Sequence, residues 1–238
     1  MPSTASTFRL YRERANARTI GLATLSELLI EHFVGTDLVL KMGGYSKAAQ
    51  TIRHSLPTTK RTQSGDLGEL IATEYVDTQT PFRVPIRKLR WKSDRKMPMH
   101  GNDVVAIEKR GSKIRVLKGE SKSAGSLSKA TVQDAATGLD RDDGRPNPST
   151  LAFITKRLYE ENRDSEGKIF EGLQVEGALA PKDVEHLIFT LAGKDPSRVL
   201  GAAPQPKVSG IKRAVAAVVI ADHPAFIAAV YATNGAKP

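Results

Sequence analysis

Cysteine is missing from all 238 residues, which excludes disulfides, thiolate nucleophiles and cysteine-ligated zinc and fits a reducing cytoplasm. Aromatics are scarce at 5%, with one tryptophan. No apolar run approaches the roughly 20 residues that span a bilayer, so no membrane partner is expected. The histidines His32, His54, His100, His186 and His223 include no pair one helical turn apart, so a zinc-protease helix is excluded. Gly193-Lys194 lacks the upstream glycine of a P-loop, and no Gly-x-Ser-x-Gly nucleophile elbow occurs. The segment 1–20 has no apolar core for a secretory signal, and Glu13 interrupts its basic, transit-like composition.

Positive charge, by contrast, is plentiful. Thirty-six Lys and Arg against 26 Asp and Glu give a formal net charge of +10. Such a balance points to an anionic partner, nucleic acid before a membrane surface. The charge gathers between Arg83 and Lys122, where only Asp94, Asp103, Glu108 and Glu120 oppose it. Arg87, Lys88, Arg90, Lys92, Arg95, Lys96 and His100 are the candidate nucleic-acid contacts. A solvated basic face is the plain alternative. Trp91 and Tyr75 could stack on bases or simply fill core.

A hydrophobic fraction of 39% is enough for one sizeable core. Leu22, Leu25, Leu29 and Phe33 share a helical face, and Tyr45 to Leu56 forms a second helix stopped by Pro57. Thr58 to Ser64 reads as a polar basic loop. Asp66 to Val76 reads as a helix with Asp66 and Glu69 as a capping box. Phe82 to Trp91 alternates well enough for a first sheet strand, with Pro85 marking an edge or bulge. Asp94 to Gly101 is an irregular loop containing Pro98. Asp103–Ile107 and Lys113–Glu120 form a hairpin. Leu127 to Asp140 is helical, Asp142 to Pro148 a turn-rich connector, and Thr150 to Asn162 a helix capped by Ser149. Leu151 to Thr155 could instead be a buried strand. Pro181 to Ala192 is predicted helical, Gly193 to Gly210 a mobile loop, and Ala214 to Ile220 a buried strand. Asp222 would cap a last helix. The whole is an α/β core with helical flanks. Residues 1–64 form an N-terminal helical region packed on a core of residues 65–238.

The hairpin carries the chemistry. Residues two apart on a strand share a face, so Glu120 and Lys122 point the same way, and the neighbouring strand brings Asp103 beside them. Two carboxylates suffice for a magnesium ion, which usually keeps several waters. Such an ion neutralises a phosphodiester and lowers the pKa of a bound water. Asp103 and Glu120 are the candidate ligands, with the Ser121 carbonyl as a third. Lys122 is the candidate for orienting the water, and Glu69 for completing the coordination from the preceding helix. Gln133 is a further side chain that could face the site, with a surface position as its ordinary reading. Each residue also has an ordinary use. Glu69 can cap a helix, Asp103 can make a turn, and Glu120 with Lys122 can be an exposed pair worth about 1 kcal/mol or less.

Gly68-Glu69-Leu70, Val84 to Leu89, Met97-Pro-Met-His-Gly-Asn-Asp103, Lys118-Gly-Glu-Ser-Lys122 and Gly144-Arg-Pro146 together resemble the HamA family, effectors of the Hachiman anti-phage system. The likeness is clearest from Asp66 to Ile154. It implies a PD-(D/E)xK restriction-endonuclease-like core, a mixed central sheet flanked by helices, with extra N-terminal helices. It implies a DNA nuclease using Mg2+ or Mn2+ in a bacterial cytoplasm, with Asp103, Glu120 and Glu69 as metal-binding acids and Lys122 as the catalytic lysine. Asn102 stands where that pattern usually has proline. The resemblance further implies a superfamily-two helicase partner. A non-catalytic nucleic-acid-binding or assembly subunit is the rival expectation, and an RNase using the same site is another.

Overall fold

The computed structural model describes residues 7–97, 99–175 and 177–233. Pro98 of the predicted loop and the first six residues of the N-terminal segment lie outside them. The elements run β1 (Phe8–Arg12), α1 (Arg18–Phe33), α2 (Thr36–Lys41), α3 (Tyr45–Ser55), α4 (Lys60–Gln79), β2 (Val104–Arg110), β3 (Lys113–Ala124), α5 (Lys129–Asp140), α6 (Pro148–Glu160), α7 (Asp164–Gly172), β4 (Val184–Ala192), α8 (Ser197–Leu200), β5 (Lys212–Val219) and α9 (His223–Ala232). One mixed sheet has the order β1-β5-β4-β3-β2. Of the four strand pairings among the described residues, only the β2/β3 hairpin is antiparallel.

Helices cover both faces. Ala72 and Val76 of α4 pack on Val104, Ala106, Leu117, Leu187, Phe189 and Ala216, and α1, α3 and α9 close over α4. Val132, Ala135, Ala136 and Leu139 of α5 pack on Ile188, Val215 and Ala217 of the opposite face. Alongside them α6 and α7 cover Val105, Ile107, Val116 and Val184. The alternation along β3 therefore decides what each side chain meets: even-numbered residues face α5, odd-numbered ones α4.

Several expected elements come out differently. The segment Thr58 to Ser64 is no loop from Lys60 onward. It is the start of α4, capped reciprocally by Thr59 and Thr62. Asp66 and Glu69 are thus buried in the body of α4 and cap nothing. Phe82 to Trp91 is not a sheet strand: Arg83 makes one isolated bridge to Ile107, and Lys88–Trp91 is a 3-10 turn. Two prolines, Pro81 and Pro85, remove the donors a ladder would need. The strand at the far edge is β1, at the opposite end of the sheet from β2. Val184–Ala192 is the central strand, not a helix. Buried on both faces, it carries polar residues at Glu185, His186 and Thr190 that mark no single face, so its pattern does not separate strand from helix. Asn147, not Ser149, caps α6, with Pro148 in the first turn. The segment 193–210 contains α8, anchored by buried Leu200.

Candidate active site

The hairpin strands are unequal, and that inequality makes the site. β2 begins at Val104, opposite Gly119, whereas β3 continues to Ala124. From Glu120 onward β3 pairs only with β4. Asp103 stands where β2 departs, and its Oδ2 accepts the Ser121 N–H at 2.8 Å, a donor the missing strand would otherwise have used. The carboxylate is thereby fixed against the backbone midway between Glu120 and Lys122.

What holds Asp103 there is Asn102. Its N–H donates to Thr150 Oγ1 at 3.1 Å, its side-chain oxygen accepts the Asn147 N–H at 2.7 Å, and its carbonyl accepts from Lys88 Nζ. Proline, with neither an N–H nor a side-chain oxygen, would forfeit the first two of these bonds. Gly101 before it has φ +89°, and a Cβ there would collide with Thr150 Oγ1 at 2.2 Å, so both backbone and space demand glycine. Lys88, Asn102 and Thr150 are positioning residues that sequence reading missed. Lys88 looked like one more surface cation, and only its burial among carbonyls separates it from its neighbours.

A cleft of about 680 Å³ opens beside Asp103, lined among others by Arg61, Ser64, Asp66, Glu69, Lys96, Ser121, Lys122 and Ser123. Glu120 lies outside that lining. Its carboxylate packs on α5, where a Cβ at Gly138 would come within 3.2 Å of Glu120 Cδ, and Oε2 is 3.4 Å from Lys122 Nζ. Glu69 comes from α4, which covers one face of the sheet, Glu120 points from β3 toward α5 on the other, and Asp103 is the charged neighbour they share. Burial, followed by the Asp103 charge, pushes Glu120 up to about 7. Burial pushes Glu69 up to about 8, against the attraction of Lys88 and with Asp103 and Asp66 adding to the rise. Asp66, raised to about 6 chiefly by burial, forms a buried ion pair with Lys92. It is a fourth acid that its reading as a helix cap concealed.

The oxygen-only donor chemistry of Asp103, Glu120 and Glu69 suits a hard divalent ion such as magnesium or manganese. No three His, Asp or Glu side chains among the described residues stand grouped as a ready-made metal cage. Two carboxylates are enough for magnesium, and the rise that burial and the Asp103 charge impose on Glu120 and Glu69 is a demand that a cation would meet.

The basic residues sort sharply. Arg87 pairs with Glu74 and Asp77, Arg90 with Glu31, and Lys92 with Asp66. Lys88 donates to loop carbonyls, and Arg95 to the Leu56 and Arg53 carbonyls. Lys96 faces the acidic cleft, and His100 lines a neighbouring cleft of about 670 Å³ with Phe153 and Asn147. Arg61, inside the stretch read as a loop, is a further cation of the acidic cleft. Tyr75 packs between Tyr11 and Phe189, Trp91 lies under Arg157, and Gln133 is exposed and bonded to Thr137.

A sequence profile of the HamA family matches residues 12–233. The chain is 28% identical over 156 residues to the Hachiman protein HamA of Bacillus cereus, an alignment covering 66% of this chain and 55% of that relative. The aligned part thus spans about half the length of the curated relative. No helix among the described residues is long and apolar enough to cross a membrane.

Proposed function

The chain belongs to the HamA family, and from that premise we propose that it is a divalent-metal-dependent DNA nuclease with a PD-(D/E)xK core, acting in anti-phage defence under the control of a helicase. The observation that carries this reading is the fork after Gly119, where Asp103 is hydrogen-bonded to the backbone between Glu120 and Lys122 beside a cleft bearing Glu69, Arg61 and Lys96. The defence role is read from the name of the Bacillus cereus relative.

Asp103 and Glu120, with Glu69 behind them, would hold the ion. When bound, it supplies charge neutralisation and an acidified water. The chain's own contribution is placement. Asn102 and Ser121 lock the Asp103 carboxylate before substrate arrives, which is the preorganisation that makes electrostatic stabilisation effective. Lys122 Nζ, held within 3.4 Å of Glu120, offers N–H donors to an incoming water or to a phosphate oxygen. Arg61 and Lys96 supply positive charge to the cleft that takes the strand.

Glu120→Ala and Lys122→Ala test the reading directly. Each should cut plasmid DNA at least about a hundredfold more slowly, with and without the partner helicase. A normal rate from either variant overturns it. Side-by-side digestion of plasmid and transcript separates DNase from RNase. A second reading, a nucleic-acid-binding assembly subunit without cutting activity, is favoured by the lack of a three-group cage among the described residues. Binding that survives chelation, with no cleavage in magnesium or manganese, would establish it.

A further inference from the structure

A chain of hydrogen bonds leaves the acidic cleft on the face of the sheet opposite Glu120. Ser123 Oγ lies 2.9 Å from Ser64 Oγ and 2.9 Å from His223 Nε2. Ser64 comes from α4, Ser123 from the projecting end of β3, and His223 from the first turn of α9, so three distant segments converge. Ser64 and Ser123 line the same cleft as Asp103 and Lys122. His223, 4% exposed, borders a second groove of about 340 Å³ whose lining shares Ser64 with the cleft.

The seating is tight. A Cβ at Gly193 would meet the Gly125 carbonyl at 2.8 Å and His223 Cβ at 3.0 Å, so the backbone backs directly onto the histidine. A Cβ at Gly68 would meet Ser121 Oγ at 3.0 Å and Ser123 Cβ at 3.1 Å, so α4 approaches these two serines as closely as glycine permits. Ser121 Oγ is buried and has no hydrogen-bond partner among the described residues. A buried hydroxyl left so costs roughly 1–3 kcal/mol, which a ligand oxygen would relieve. Arg61 and Lys96 line the cleft, and neither side chain forms an ion pair among the described residues.

We propose that Ser121 and Ser123 form a hydroxyl seat for a phosphate group of the nucleic-acid strand, and that His223, together with Ser64, positions the Ser123 hydroxyl so that it aims into the seat. The seat rests on the nuclease reading of the cleft. Nε2 carries the imidazole proton and donates it to Ser123 Oγ. The Ser64 hydroxyl donates to the second lone pair, so Ser123, with one O–H and two lone pairs, has its own O–H free for a phosphate oxygen. Burial lowers the His223 pKa, which keeps the ring neutral and able to donate from one nitrogen only. The role differs from that of Lys122: the seat holds the strand and leaves bond-breaking to the carboxylate side.

The test uses the purified full chain and a fluorescein-labelled single-stranded oligonucleotide. Affinity is read by anisotropy with calcium in place of magnesium, and cleavage is read in magnesium. Ser123→Ala and His223→Ala should each weaken binding about tenfold and raise KM in proportion, with kcat within about twofold of the parent. The double variant should be no weaker than either single one, because both remove the same donor. His223→Gln, which keeps a donor near Nε2, should restore most of the affinity, and melting curves identify any variant that has merely lost its fold. Folded Ser123→Ala and His223→Ala proteins that bind like the parent, a folded His223→Gln protein that binds no better than His223→Ala, or single effects that add, overturn the seat. So does a parent chain that does not bind the oligonucleotide. A parent that binds but cuts in no metal defeats the nuclease reading instead, and the seat then stands or falls on affinity alone.

Discussion

Lys118 and Glu120 stand two residues apart on one face of β3, yet their surroundings have little in common. Lys118 is fully buried, and its Nζ donates to the Leu139 and Arg141 carbonyls at 3.0 and 2.8 Å, closing the last turn of α5. In register beside it come His186 on β4 and Arg213 on β5. Arg213 donates to Asp140 Oδ1 at 2.6 Å and to His186 Nδ1 at 3.1 Å, and His186 Nε2–H donates to the Gly144 carbonyl at 2.8 Å. Each cation finds an acceptor inside the fold. One step along the same strand face, Glu120 has Asp103 as a like-charged neighbour and Lys122 as partial relief, while Glu69 shares that neighbour from the other side. A buried network that satisfies itself belongs to structure. Buried acids whose pKa values are raised by burial and by the Asp103 charge ask for something the chain does not supply, and such demand concentrates at functional sites.

The widest separation between the two regions should come from removing one acid in each. Asp140→Asn leaves the Arg213 charge buried without its partner and should lower unfolding free energy by about 3–5 kcal/mol, read by urea denaturation. Glu69→Gln removes a buried acid from like-charged neighbours and should leave stability unchanged or higher in metal-free buffer. A tolerant Asp140→Asn with a collapsed Glu69→Gln would reverse the comparison.

Acid should sharpen it next. Burial, helped by the Arg213 and Lys118 charges, holds His186 down at about 4 against the Gly144 hydrogen bond and, more weakly, Asp140, which pull the other way. The unfolded chain, with an ordinary histidine near 6.5, binds its proton first as pH falls. The stability His186 lends is therefore complete above pH 6.5 and is lost as pH falls toward 4. The raised acids of the cleft act in the opposite sense, so the difference between parent and His186→Gln isolates this group. That difference should shrink by about 2 kcal/mol between pH 7 and pH 5. A difference that stays constant would show that His186 is not the titrating group.

How much of this was legible in the residues follows the same division. The helices α1, α3 and α5 announce themselves because each has one apolar face, the hairpin by its two runs joined through a turn, and β5 by its valine-rich run. Val184–Ala192 does not, since a strand buried on both sides has no polar face to mark its period. The self-satisfied network was also invisible: Lys118, His186 and Arg213 belong together only through register across three strands, which no local spacing encodes. The candidate acids were found because Glu120 and Lys122 are local neighbours and Asp103 is one hairpin away. Asp66 was seen and misassigned, because the capping signal at Thr59 and Thr62 lacks the glutamate or glutamine that usually announces it. Asn102 and Lys88 hold Asp103 through contacts 48 and 14 residues distant in sequence, beyond the reach of any pattern.

The smallest effect on stability, and the finest test of the boundary, lies at Gly138. This glycine sits in α5 between the Lys118 anchor and the Glu120 carboxylate, so it belongs to both regions. Alanine favours a helix interior by about 1 kcal/mol over glycine. Its methyl would come 3.2 Å from Glu120 Cδ and 3.3 Å from Oε1, tighter than ordinary contact, so the carboxylate must shift by a few tenths of an ångström. A structural pair would absorb that shift, but a group placed for chemistry would not, because reaction geometry is sensitive on that scale. Gly138→Ala should therefore melt at or above the parent temperature while cutting about tenfold more slowly. Gly172→Ala, with nothing within 4 Å of the added carbon, controls for the change of residue type and should alter neither. Unchanged cutting by Gly138→Ala would mean that the position of the Glu120 carboxylate carries no chemistry. Stability and rate lost together would place Glu120 with Lys118, in the packing of α5.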